Sequence, residues 1–358
     1  MSGKVGRRSF WQGLLLSEYF VLYLALAYSL VLLPFIPVLA TPQNLANLLS
    51  NLWPLLAVAL GQTFVLIVAG IDLSQTAVIA LSSVVAASLI TQGLNPVLFS
   101  KSPLWGWFYG PEGGPLGHSP LGVGLGIAAM LATGALVGAL NGWAVTRLRM
   151  PAFMVTLISM TFFSAAAIWL TKSENIVNLP PGYLALGEGL WPPLISGGLA
   201  VLAHLILRYS LLGRWMYAAG SNPQAARVSG VPVERAVLAA YVLSGLFAAV
   251  GSLLYSARLE MGRPTLGSNL LLDVIGAAVI GGSRPFQPLR RAGQGAVDPL
   301  WGAVLRAAGQ HPQPAQPRLL HRRHRQRRGD PLGGRAGRAA GALGALGRLG
   351  WPFCSSAA

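Results

Sequence analysis

The chain has 358 residues, of which 53% are hydrophobic and only 10% charged. Soluble domains usually carry about 25% charged residues, so long uncharged runs of this kind exclude a soluble globular fold and indicate a polytopic membrane protein. The single cysteine, Cys354, excludes a disulfide framework and a cysteine-based metal site. The formal net charge of +16 divides unevenly, because residues 1–283 carry +5 and residues 284–358 carry +11.

Residues 1–18 form a positively charged N-terminal segment read as cytoplasmic. No small-residue cleavage site follows at the distance a signal peptide requires, so the first apolar run reads as a retained helix. Eight apolar spans are expected, at 19–40, 52–70, 73–95, 120–146, 152–171, 188–207, 236–257 and 269–283. Most are close to the roughly 20 residues that cross a bilayer as a helix. The expected fold is an all-α transmembrane helical bundle over 19–283. With the N-terminus inside, alternation gathers Lys4, Arg7, Arg8, Arg147, Arg149, Arg208, Arg214, Arg227 and Arg235 on the cytoplasmic side. The other side receives Lys101, Lys172, Arg258 and Arg263, diluted by Glu112, Glu174, Glu188 and Glu260. That sorting is the positive-inside bias.

Polar groups within such spans are costly and need an account. Asp72, with Ser74 beside it, falls at the turn between the second and third spans, and Asp273 falls near the start of the eighth. Structural caps are favoured for both carboxylates, since a helix N-terminus suits an anion; direct substrate contact is the alternative. Gln62, Thr63, Gln75, Asn141, Thr156, Ser159 and Asn269 are candidates for neutral hydrogen bonds, either to a polar solute or between helices. The external loop 97–119 holds Trp105, Trp107, Phe108 and Tyr109, read as interface anchors in preference to ligand contacts. Gly134, Gly138 and Gly142, spaced four apart, permit close helix–helix approach. His204 reads as a packed residue, because no carboxylate accompanies it at helical spacing. No metal site is expected.

The segment GRWMYAAGSNPQAARVSGVPVERA, from Gly213 to Ala236, lies between the sixth and seventh spans. Asn222 suits a helix cap, Pro223 the first helical position, and residues 224–229 about two turns. Gly230 suits the position just past the helix end, and Pro232 prevents continuation. So short a helix is not stable alone. Either the adjoining spans or a partner must hold it; an ordinary re-entry turn is the competing reading.

This segment resembles the cytoplasmic coupling segment of ABC-importer permeases of the ribose/monosaccharide type, in the family shared with branched-chain amino-acid permeases. Three further segments agree in family order: GQTFVLIVAGIDLSQTAVIALSSVVAAS (Gly61–Ser88), LNGWAVTRLRMPAFMVTLISM (Leu140–Met160) and RPTLGSNLLLDVIGAAVIGGS (Arg263–Ser283). The Gly-Ile-Asp-Leu-Ser motif is more typical of the family's sugar branch. The resemblance covers about residues 20–283. It implies a multi-pass protein of the cytoplasmic membrane that imports a sugar by alternating access. It also implies three partners: cytosolic ATPase subunits, an extracytoplasmic solute-binding protein and a second permease chain. Gly213, Arg214, Gly220, Asn222, Pro223, Ala226, Arg227 and Gly230 are the implied coupling residues. Gln62, Asp72, Ser74, Asn141, Thr156, Asn269 and Asp273 are the candidate polar residues of the pathway or its frame. No G-x-x-x-x-G-K-[ST] phosphate loop occurs in the chain, so no cofactor is expected and ATP is bound by the partner subunit. A branched-chain amino-acid permease and a secondary transporter are the rival readings.

Residues 284–358 depart from that family. They lack Ile, Lys, Glu, Thr, Tyr, Asn and Met and are rich in Arg, Ala, Gly and Pro. This is the vocabulary of GC-rich DNA read out of frame. One frame error accounts for the abrupt end of the spans, the missing residue types and the absence of about two further helices. The tail is expected to be disordered, and nucleic-acid binding is not its inferred role.

Overall fold

The computed structural model describes residues 20–280; the expected N-terminal segment 1–18 and tail 284–358 lie outside these residues. Ten helices carry the architecture: α1 Phe20–Leu32, α2 Pro42–Ile67, α3 Gln75–Ile90, α4 Gly122–Arg147, α5 Ala152–Thr171, α6 Trp191–Tyr209, α7 Leu211–Ser221, α8 Pro223–Val228, α9 Val233–Arg258 and α10 Leu271–Ile280. No β-strand forms among the described residues. Five helices, α2, α4, α5, α6 and α9, are long and apolar enough to cross a membrane. The other three expected spans fall on the shorter helices α1, α3 and α10.

The second span begins earlier than hydropathy indicates, at Pro42 and not at 52. Thr41 caps it by accepting from the Asn44 N–H at 3.3 Å, and Pro42 takes the first turn, where a missing N–H costs nothing. The polar run 43–51 is therefore helical despite its low hydropathy.

α3 lies at the centre. Most of its residues, from Gln75 to Ile90, are buried, and it packs against α4, α5 and α9. Its near-complete burial explains why it carries almost no amphipathic stripe. The largest helix interface joins α4 to α9. There Gly134, Gly138 and Gly142 do what their spacing indicates. A Cβ on Gly138 would collide with the Tyr241 carbonyl, and one on Gly142 would lie 2.9 Å from Leu238 Cα. Gly245 answers from α9, against the Gly134 carbonyl. Without side chains the two backbones close to direct contact, which gains dispersion energy where lipid offers no hydrophobic drive.

One end of the bundle is closed by the loops 91–121, 172–190 and 259–270. Gln92 N–H donates to the Asn178 carbonyl at 2.8 Å, and Ile176 and Gly262 exchange backbone bonds at 2.8 and 2.9 Å. Ser102 and Tyr109 share a 2.6 Å hydrogen bond, and the Ser102 hydroxyl also reaches the Leu170 carbonyl at 2.6 Å. Burial pushes the Tyr109 phenol above its usual range, so it stays a donor. Of Trp105, Trp107, Phe108 and Tyr109 only Tyr109 is buried, and Trp107 stands 81% exposed. The opposite end is formed by α7, α8 and the helix termini around them.

Candidate functional site

Between α2 and α3 the chain breaks inside the bundle. α2 ends with the Ala69 N–H bonded to the Leu66 carbonyl and the Gly70 N–H bonded to the Val65 carbonyl. This pairing satisfies the last carbonyls of a helix and turns the chain through a left-handed residue; here that residue is Ala69, at φ 59. The chain then re-enters, and Asp72 is 2% exposed.

A buried carboxylate must be compensated. Asp72 Oδ1 accepts from the Ser74 N–H at 2.9 Å and the Ser74 hydroxyl at 2.6 Å, and Oδ2 accepts from the Ser244 hydroxyl at 2.7 Å. It precedes the N-terminus of α3, whose dipole favours an anion. No ion pair to it forms among the described residues; the one ion pair there joins Arg227 to Glu234 at 3.5 Å.

The network spreads outward from this group. Asn141 Nδ2 donates to Ser74 Oγ at 2.8 Å, and Ser159 donates to Asn141 Oδ1. Gln75 Nε2 donates to Ser244 Oγ at 2.8 Å. With its amide turned to face the acceptors, Gln62 donates to Gln75 Oε1 at 3.1 Å and to the Asp72 carbonyl at 3.0 Å. Thr156 donates to the Ile71 carbonyl at 3.2 Å. One carboxylate thus gathers side chains from α2, α3, α4, α5 and α9. Gln62, Asp72, Ser74, Asn141 and Thr156, separate in the sequence, come together. Asn269 and Asp273 do not join them, and both are exposed. Asp273 lies in the first turn of α10. Thr63 bonds only its own helix, at the Ala59 carbonyl.

Ser244 is the member that sequence reasoning missed. It sits in the apolar run YVLSGLFAAV, 172 positions from Asp72. A serine there ordinarily bonds its own helix backbone, so no local signal marks it.

The second constellation is at the α7–α8 end. Asn222 Oδ1 accepts from the N–H groups of Gln224 and Ala225 at 3.1 and 3.0 Å, and Pro223 occupies the first position of α8. At the other end Gly230 adopts φ 81; its N–H meets the Arg227 carbonyl, and the Val231 N–H meets the Ala226 carbonyl. The expected short helix is therefore present, closed at both ends. Ala226 is buried beneath it, while Gln224, Arg227 and Val228 face outward.

Gly213, Arg214 and Gly220, expected in a loop, lie instead on the helix α7. Ser210 caps α7 by accepting from the Gly213 N–H at 3.0 Å. Both glycines are needed for packing. A Cβ on Gly213 would strike the Leu207 carbonyl, and one on Gly220 would strike the Ile67 carbonyl at the end of α2. α7 thus rests on the helix terminus that leads to Asp72.

Residues 44–291 match the model of the family described as "Branched-chain amino acid transport system / permease component". The chain is 30% identical over 289 residues to the ribose import permease protein of Escherichia coli (strain K12), covering 78% of this chain and 81% of that protein. It is 32% identical over 254 residues to the ribose import permease protein of Bacillus subtilis (strain 168), covering 69% and 70%. It is 29% identical over 284 residues to the L-arabinose ABC transporter permease protein of Azospirillum brasilense, covering 77% and 74%. No solved structure matches.

Proposed function

The chain belongs to the branched-chain amino acid transport system / permease component family, and on that premise we propose that it is the membrane-spanning permease of an ABC importer for a sugar. The ribose and arabinose relatives favour a sugar over an amino acid. The observation that carries the coupling role is α8, a six-residue helix closed at both ends and seated on α7 and α9. A helix this short has no independent stability, so its two caps maintain a docking shape that a plain turn does not need. ATP is bound and hydrolysed by a separate subunit docked there, through residues including Asn222, Arg227 and Gly230. A solute-binding protein delivers cargo at the opposite end. A second permease chain covers part of the apolar surface of α5 and α6. The N-terminus and the α7–α8 end are cytoplasmic.

Among the described residues Asp72 is the one buried carboxylate. It is hydrogen-bonded into the frame, which disfavours the proton relay of a secondary transporter. The Asp72 network reads as a frame that fixes the break between α2 and α3, and not as a substrate contact. The tail remains assigned to a change of reading frame; that the family match ends at residue 291 supports this placement.

The test is uptake of radiolabelled ribose, arabinose and leucine by vesicles containing the chain, its ATPase subunits and its binding protein. Asn222→Ala removes a cap worth about 1 kcal/mol. Gly230→Leu forces a side chain into a left-handed conformation at about 1–2 kcal/mol. Both should lower sugar uptake and ATPase co-purification while the chain still inserts. Normal uptake in both would remove the coupling role, and uptake of leucine alone would remove the sugar.

A further inference from the structure

At the bundle end opposite α7 and α8, the loop after α9 folds back beside α2 and leaves a cleft of about 250 Å3. Its polar lining is Asn51, Tyr255, Arg258, Arg263, Thr265, Ser268 and Asn269. Two guanidinium groups share this one cleft; no carboxylate lines it, although Asp273 lies near enough to act electrostatically on Tyr255, which does. Each is oriented by a neutral partner: Arg258 Nη1 donates to Asn51 Oδ1, and Arg263 Nε donates to Thr265 Oγ1 at 2.9 Å. Neither forms an ion pair among the described residues. Lys172, another cation at this end, is accounted for differently, since its ammonium lies 5.9 Å from the Trp169 ring centre.

Two like charges in one cleft repel, and an anion between them reverses the sign of that interaction. The planar fork of arginine matches the paired oxygens of a phosphate. The surroundings indicate which phosphate. Leu48 and Leu52 on α2, Leu259 beyond α9 and Leu272 on α10 are 56%, 47%, 41% and 79% exposed. A protein partner would be met by a polar rim, whereas exposed leucines on helices of a membrane bundle face acyl chains. We propose that this cleft binds the phosphodiester headgroup of an anionic phospholipid, with the acyl chains against the exposed leucines of α2 and α10. This goes beyond the transport reading and does not depend on which end is cytoplasmic.

The test is native mass spectrometry of the full-length chain released from nanodiscs of mixed phosphatidylglycerol and phosphatidylcholine. The unaltered chain should retain phosphatidylglycerol in preference. Arg258→Gln with Arg263→Gln should reduce that retention about tenfold or more, two charge-assisted contacts being lost. Arg258→Lys with Arg263→Lys keeps the charge and should retain an intermediate amount, and Lys101→Gln should change nothing. Ser268→Trp, at an exposed position, fills the cleft without touching either charge and should reduce retention like the glutamine pair. Equal retention in the unaltered chain, the glutamine pair and Ser268→Trp overturns the proposal. So does displacement of the lipid by millimolar inorganic phosphate, which would make the free anion the ligand. Loss of binding-protein docking in the glutamine pair with lipid retention unchanged also overturns it.

Discussion

Replacing Asp72 by alanine tests whether the polar network is structural. The substitution removes the acceptor of three donors: the Ser74 N–H, the Ser74 hydroxyl and the Ser244 hydroxyl. Bonds to a charged acceptor are worth about 1.5–3 kcal/mol each. The full sum overstates the loss, because the Ser244 hydroxyl can turn to a carbonyl of its own helix and a buried charge no longer has to be desolvated. The Ser74 N–H has no such escape. A buried orphan donor costs about 1–3 kcal/mol, and the small cavity adds to it, so the expected net loss is about 3 kcal/mol. Asp72→Asn keeps an acceptor for the Ser74 N–H and should cost about 1 kcal/mol. Asp273→Ala, at an exposed first-turn position, should cost no more than about 0.3–1 kcal/mol. The assay is the apparent melting temperature of the purified chain in detergent at one fixed heating rate. At about 2–4 °C per kcal/mol, Asp72→Ala should fall by about 6–12 °C and Asp273→Ala by no more than a few. Equal shifts for the two alanine variants would refute the structural role of Asp72.

Gly245→Ala drives a methyl group into the Gly134 backbone; the α4–α9 interface should separate and the melting temperature fall, whereas Gly197→Ala, inside α6 with open space around it, gains helix propensity at no steric cost and should hold or raise it. Gly220→Ala raises intrinsic helix propensity by about 1 kcal/mol, yet its Cβ collides with the Ile67 carbonyl; lower stability and lower uptake are expected, and a gain in both would show that propensity outweighs packing there. In a Cys354→Ser background, a cysteine at position 227 should react with an impermeant thiol reagent only from the cytoplasmic side and one at position 101 only from the other; the reverse pattern would invert the topology. Resequencing the coding DNA around codons 284–295 should reveal a one- or two-base change that opens about two further apolar helices; stop codons or polar sequence in the alternative frames would make the tail genuine.

Features governed by local chemistry were legible in the sequence. Asn222, Pro223, Gly230 and Pro232 fix both ends of α8 through backbone rules that act within a few residues. The four-residue glycine spacing of α4 likewise implies a close approach whatever the partner. Features set by distant packing were not legible. α7 carries Gly213 and Gly220, which read as loop residues, yet each is the contact that lets the helix lie on another backbone. Tertiary packing overrides propensity there. The early start of α2 was readable from Thr41-Pro42, but the polar run behind it masked the signal. Ser244 reads like Ser252 or Ser256, and only the fold separates them: Ser252 donates to the Ile79 carbonyl, Ser256 shares a bond with the Tyr183 hydroxyl, and Ser244 meets Asp72.

The illegible helix is also the one that joins the two legible constellations. α8 touches only its neighbours α7 and α9 among the helices it packs against closely. From α9, a continuous helix leads from Val233 to Ser244 and so to Oδ2 of Asp72. From α7, the Gly220 contact reaches the Ile67 carbonyl, and the chain runs five residues on to the same carboxylate. These routes differ mechanically. The first moves one donor of the network, while the second moves the backbone that carries the acceptor. A side chain at position 220 disturbs only the second route. A force on α8 that acted through α9 alone would therefore leave transport intact in Gly220→Ala. Loss of uptake with the ATPase subunit still bound would place the load on α7, the helix that hydropathy alone reads as a loop.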